Sequence, residues 1–126
     1  MNAGKAYLTV SALGLIPIAL SYGVAPARSL SMLYGLDLPI PNGVHIFRAI
    51  MGLYLALAGF WLYAVVRPNL VRAAIWSEVV FMFGLAAGRL LSVVVDGPPH
   101  WLLLVFLGLE LIFGCIGVFL LRQRTT

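Results

Sequence analysis

Charge is what this sequence has least of. Asp, Glu, Lys and Arg make up 10% of the 126 residues, four acids against eight bases, where soluble proteins carry about a quarter. Apolar residues make up 63%. So few polar side chains cannot cover so much apolar surface in water, which excludes an ordinary soluble domain and leaves lipid as the solvent. Cysteine is nearly absent too. Cys115 stands alone in an apolar run, so there is no disulfide framework and no metal-ligand spacing, and it reads as ordinary core. The sequence also lacks a G-x-S-x-G elbow, a phosphate loop and any haem or zinc pattern. No cofactor or metal is expected, and the balance tips away from an enzyme. The bases form no patch, so a nucleic-acid partner is not expected either.

Long apolar runs are what is present. A bilayer-crossing helix needs about 20 mostly apolar residues, and four stretches qualify: about 6–25, 44–66, 70–95 and 101–121. Pro41-Asn42-Gly43, Pro68-Asn69 and Asp96-Gly97-Pro98-Pro99 punctuate the gaps with turn chemistry. The expectation is an all-α fold, a four-transmembrane-helix bundle in one domain spanning residues 1–126. Pro17 should kink the first span by removing a helix hydrogen bond. The connection from Pro26 to Gly43 carries Leu33, Tyr34, Leu36, Leu38 and Ile40, so it reads as an interfacial segment rather than a free loop. Trp61, Trp76 and Trp101 lie near span ends, where an aromatic belt would place them.

The bases set the orientation. One side holds Lys5, Arg67, Arg72, Arg122 and Arg124; the other holds Arg28, with Asp37, His45, Asp96 and His100. The positive-inside rule then puts both termini in the cytoplasm of a multi-pass inner-membrane protein. His45 and His100 read as boundary residues, since neither has a Cys or His at metal spacing.

Four charges fall inside the spans: Arg48, Glu78, Arg89 and Glu110. Each costs at least about 2.5–3.5 kcal/mol at the bilayer centre, so such groups face the bundle interior and find partners. From the rise per residue, Arg48 and Arg89 lie about 10 Å toward the outer side, Glu110 near the midplane, and Glu78 about 7 Å toward the cytoplasm. Glu78 and Arg89 share a helix face, with Ser92 and Asp96 on or near it. Glycines stand beside the charges: Gly52 and Gly59 with Arg48, Gly84 and Gly88 around Arg89, Gly114 and Gly117 with Glu110. A tight polar seam of Arg48, Arg89, Ser92, Asp96 and Glu110 is the expectation.

Two readings of the seam stand side by side. In the structural one, Arg48 and Arg89 pair with Glu110 and Asp96 and fix helix register. In the functional one, two arginines against one nearby carboxylate leave spare positive charge for an anionic amphipathic ligand, a lipid headgroup or a membrane partner. Aromatics near that level, Tyr54, Trp101 and Phe106, would line the apolar part of such a pocket. Glu78, with no base at its depth, is the candidate proton site of a proton-coupled transporter acting as an oligomer, with Gly84 and Gly88 as one candidate interface. Its plainer reading is a neutral carboxyl bonded to Tyr63 or a backbone carbonyl.

Some of these residues also carry a resemblance. Phe47-Arg48-Ala49-Ile50-Met51-Gly52, then Gly88-Arg89-Leu90-Leu91-Ser92 followed by Asp96-Gly97-Pro98, and Glu110 in the last span together resemble short four-span bacterial membrane proteins catalogued as a domain of unknown function. That group is distantly similar to the DoxX-like proteins. The resemblance implies a four-helix bundle. Some DoxX-like proteins are similar to membrane subunits of quinone-linked oxidoreductases, which adds such a subunit as a third functional class; no cofactor-ligand pattern here supports it.

The N-terminus has a second reading. Lys5, an apolar stretch and Ala25-Pro26-Ala27 resemble a signal peptide with a small-residue cleavage site, although the apolar part exceeds the usual length of about 7–15 residues. A retained first span is the expectation. Edman sequencing of the mature protein should then read from the Met1 end, and a start at Arg28, after the Ala25-Pro26-Ala27 site, would remove a wall of the bundle.

Overall fold

The computed structural model describes residues 2–123 and contains no β-strand among them. The helices are α1 (Ala3–Gly23), α2 (Pro26–Tyr34), α3 (Asn42–Val65), α4 (Val71–Asp96) and α5 (Trp101–Arg122), with a short 3-10 turn at Pro68–Leu70. Four of the five helices are long and apolar enough to cross a membrane.

Local chemistry sets the ends. Asn2 starts α1 by accepting the backbone N–H of Lys5 at 2.9 Å, which satisfies one of the helix's orphan donors. The helix then runs unbroken through Pro17. Within the connection that follows, Pro26 opens α2 with its φ preset for a helix. Gly35 closes it at φ +66°, where its N–H bonds Ser31 and the next N–H, of Leu36, reaches Leu30 at 3.1 Å. A side chain at Gly35 would strain that left-handed turn. Gly97, at φ +95°, ends α4, and Pro98-Pro99 cannot extend it. His100 then starts α5, its Nδ1 accepting the Leu102 N–H at 3.2 Å.

Packing is uneven. The first helix packs most extensively on α3, and α4 on α5; the two pairs join through α3–α4 and α1–α4, while α1 and α5 barely touch. Fully buried alanines (Ala12, Ala19, Ala64 and Ala74) sit where helices approach, because a methyl group lets backbones come close and maximises dispersion contact. Around the C-terminal end of α1, the Tyr22 ring meets Tyr34, Phe47 and Tyr54 at 5.9, 5.6 and 5.7 Å. Tyr54 in turn meets Phe81 edge-on at 5.1 Å. The short α2 covers this end, burying Leu30 and Tyr34 against the bundle.

The up-and-down topology gathers Lys5, Arg67, Arg72 and Arg122 at one end, and Arg28, Asp37, Asp96 and His100 at the other. Arg124 lies outside the described residues. Arg72 donates from Nη2 to the Leu121 carbonyl at 3.1 Å, placing positive charge on the negative end of the α5 dipole.

Several expectations are corrected here. Gly52, Gly59, Gly84 and Gly88 look onto open space, whereas a Cβ at Gly23 would meet Met51, at Gly114 Phe83, and at Gly117 Val79 and Tyr7. The close approaches therefore lie on α1 and α5, not on the Gly84/Gly88 face. Trp61 is not a belt residue: it is fully buried and donates from Nε1 to Ser77 Oγ at 3.0 Å. Trp76 and Trp101 are exposed. Cys115, expected in the core, is exposed. The reason is common to all three cases. Spacing says which residues share a face, and only packing says which face is covered.

Gly117→Val should lower stability by about 1–3 kcal/mol, the usual cost of forcing methyl groups into a filled interface. Gly84→Ala should leave stability unchanged or raise it by about 0.5–1 kcal/mol, because it removes backbone entropy without a clash. Thermal unfolding in detergent separates the two.

Candidate functional site

The site is built around one ion pair. Arg89 on α4 donates from Nε to both Glu110 oxygens on α5, at 2.9 and 3.0 Å. Their side chains are 22% and 8% exposed, so the pair is largely withdrawn from the surface. Phe106, one turn before Glu110, puts its ring centroid 5.7 Å from the Arg89 Cζ, a cation–π contact. A guanidinium and a carboxylate can form a fork of two parallel N–H···O bonds. Here a single N–H is shared between two oxygens. The two terminal Nη groups are not taken by Glu110; they face the Tyr22 hydroxyl, and their remaining N–H donors are turned to the space beside the pair.

The remaining predicted residues do not gather at this pair. Arg48, largely exposed on α3, donates from Nε to the Gly23 carbonyl at 3.1 Å. It caps the C-terminal end of α1 instead of reaching Glu110. Ser92 bonds Asp96 at 2.9 Å one turn away, and both are exposed near the end of α4. The expected seam is thus three separate devices: an ion pair, a helix cap and an exposed local bond. Among the described residues no group of three His, Cys, Asp or Glu side chains could hold a metal ion.

Glu78 lies elsewhere, toward the other end of α4. It is fully buried and faces Tyr7 and Ser11 of α1. The partner proposed from sequence, Tyr63, is instead half exposed with Arg67 over its ring at 5.5 Å. Both Glu78 oxygens and the Ser11 Oγ are buried without a hydrogen-bond partner. The Tyr7 hydroxyl gives its proton to the Phe113 carbonyl at 2.7 Å, so it has none to donate to Glu78.

A cavity of about 120 Å³ joins these regions. Its walls come from α1 (Val10, Ser11, Gly14, Leu15, Ile18 and Tyr22), α4 (Phe81, Met82, Leu85 and Arg89) and α5 (Phe106, Leu109, Glu110 and Phe113), with Tyr54 of α3 behind. It opens along the weakly packed α1–α5 seam, where Val10, Gly14 and Leu109 are exposed. The lining is apolar apart from Ser11, the tyrosines and the ion pair. Sequence reading named Arg89, Glu110, Tyr54 and Phe106 but missed Tyr7, Ser11 and Tyr22. A signal for them existed: these residues fall within about 60° of one another around α1 at 100° per residue.

The family described as a domain of unknown function (DUF4345) matches over residues 3–121, nearly the whole of the described chain. No curated protein and no solved structure matches.

Removing one partner of the ion pair isolates a charge away from water. Arg89→Leu should therefore lower stability by about 3 kcal/mol, and Arg89→Leu/Glu110→Leu should recover most of it. Chemical unfolding of the two variants side by side checks this; equal losses would show that Glu110 is not left as a costly lone charge when Arg89 is removed.

Proposed function

We propose that this chain, which belongs to the DUF4345 family, is a small non-enzymatic membrane protein that holds an amphipathic molecule in the cavity between α1, α4 and α5. One observation carries the proposal. The cavity opens sideways through the α1–α5 seam, and at one end it presents a guanidinium whose Nη donors are not taken by Glu110. An opening on that side of a four-span bundle faces acyl chains, so its occupant arrives from the bilayer with an apolar body. Its head is an oxygen acceptor for the Arg89 Nη groups: a carbonyl, an ester or a phosphoryl oxygen.

The expected preference for an anion changes for a physical reason. It rested on two arginines facing one carboxylate, but Arg48 is engaged at Gly23 and Glu110 balances Arg89. An uncharged acceptor head leaves the site neutral, whereas an anion would bring an unbalanced negative charge to membrane depth. A quinone carbonyl belongs to the same chemical class; the mass of the bound molecule separates it from a lipid ester. The excess of bases at the end holding both termini supports a place in the inner membrane with those termini in the cytoplasm.

Gly14 supplies the test. It lines the cavity, and a Cβ there meets nothing within 4 Å. Gly14→Leu should fold normally while filling the space. Native mass spectrometry of protein purified in mild detergent should find an amphipath on the wild type and none on Gly14→Leu. A wild type that emerges empty would sink the proposal.

A further inference from the structure

The cavity has polar groups at both ends, and only one end is satisfied within the protein. At the Arg89 end, the ion pair fills part of the hydrogen-bonding capacity. At the other end, Ser11 lines the cavity, is 4% exposed, and has an Oγ with no partner. Behind it, Glu78 is 0% exposed and neither of its oxygens is bonded. A buried hydroxyl left unpaired loses its hydration without compensation. Tyr7 cannot supply the missing donor, since its proton goes to Phe113. Among the described residues no ion pair involves Glu78.

We infer that Ser11, backed by Glu78, is a second polar subsite that takes a hydroxyl of the molecule whose acceptor end lies at Arg89. The Ser11 hydroxyl accepts the ligand's O–H from the cavity side and turns its own proton toward Glu78, which gives each hydroxyl a partner. Geometry sets the distance between the two ends. Glu78 and Arg89 are separated by eleven positions on α4, and Ser11 and Tyr22 by the same interval on α1, which corresponds to about 16 Å of helix. The wall between them, Leu15, Ile18, Met82 and Leu85, is apolar. The ligand class is therefore an uncharged molecule with an extended hydrocarbon body and an oxygen function at each end. This inference rests on the pocket reading above.

Two probes of like length distinguish the subsite from the pocket: dodecane-1,12-diol and dodecan-1-ol. In native mass spectrometric titrations, the wild type should bind the diol roughly fivefold more tightly, the worth of about one net hydrogen bond. Ser11→Ala should bring the two probes to equal affinity while leaving that of the mono-alcohol unchanged; Ser11→Cys serves as a second variant of near-native volume. Equal affinities in the wild type would overturn the subsite and leave the pocket standing, as would a diol preference that survives both substitutions. A trapped water satisfying Ser11 predicts that equality. If neither alcohol binds, the pocket reading itself fails and the subsite falls with it.

Discussion

A guanidinium at membrane depth has to be neutralised inside the protein, and in this fold Arg89 is neutralised by Glu110. The contact ties α4 to α5 at one rotational setting, because either helix turning on its axis would carry a charge toward hydrocarbon. The same setting directs Phe106 under the guanidinium and brings Gly114 and Gly117 against Phe83, Val79 and Tyr7. Among the described residues the other half of the bundle has no ion pair. There α1 and α3 are held by buried alanines and a tyrosine cluster, with Arg48 reaching across to the Gly23 carbonyl.

This division of labour explains where the cavity lies. Two well-packed pairs, α1–α3 and α4–α5, meet along seams of unequal quality, and the seam between α1 and α5 is among the weakest. Space remains where neither a methyl-lined approach nor a salt bridge closes the gap. The ion pair sits at one end of that space and the Ser11–Glu78 group at the other. Polar side chains thereby line both ends of a cavity whose walls are otherwise apolar. At the C-terminal end of α1, α2 covers the tyrosine cluster, which leaves the α1–α5 seam as the exposed side of the cavity.

How much was legible beforehand depended on the kind of signal. Length and polarity are local properties, so four membrane-crossing helices could be read directly from four uninterrupted apolar runs. The charges could be assigned to helix faces by periodicity, and the pairing of Arg89 with Glu110 was one of the contacts that arithmetic allowed. It also allowed Arg48 to join them, which the structure does not show. The end of α1 comes close enough to Arg48 to offer a backbone carbonyl. A carbonyl acceptor leaves no trace in a sequence, since every residue has one. As marks of a tight seam within the bundle, Gly114 and Gly117 held while Gly52, Gly59, Gly84 and Gly88 misled, for a related reason. Small residues permit close approach without requiring it, and Gly84 and Gly88 look onto open space.

The sequence by itself determined that this protein lives in lipid, that it is helical, and that four ionisable groups must be accommodated away from water. Those follow from composition and periodicity, which act residue by residue. Only the tertiary structure decided which charge meets which, that Tyr7 and Ser11 rather than Tyr63 stand beside Glu78, and that a gap is left open toward the bilayer. These depend on how three or more helices rotate against one another. That rotation is fixed by the summed packing of all of them, so no single segment carries the information.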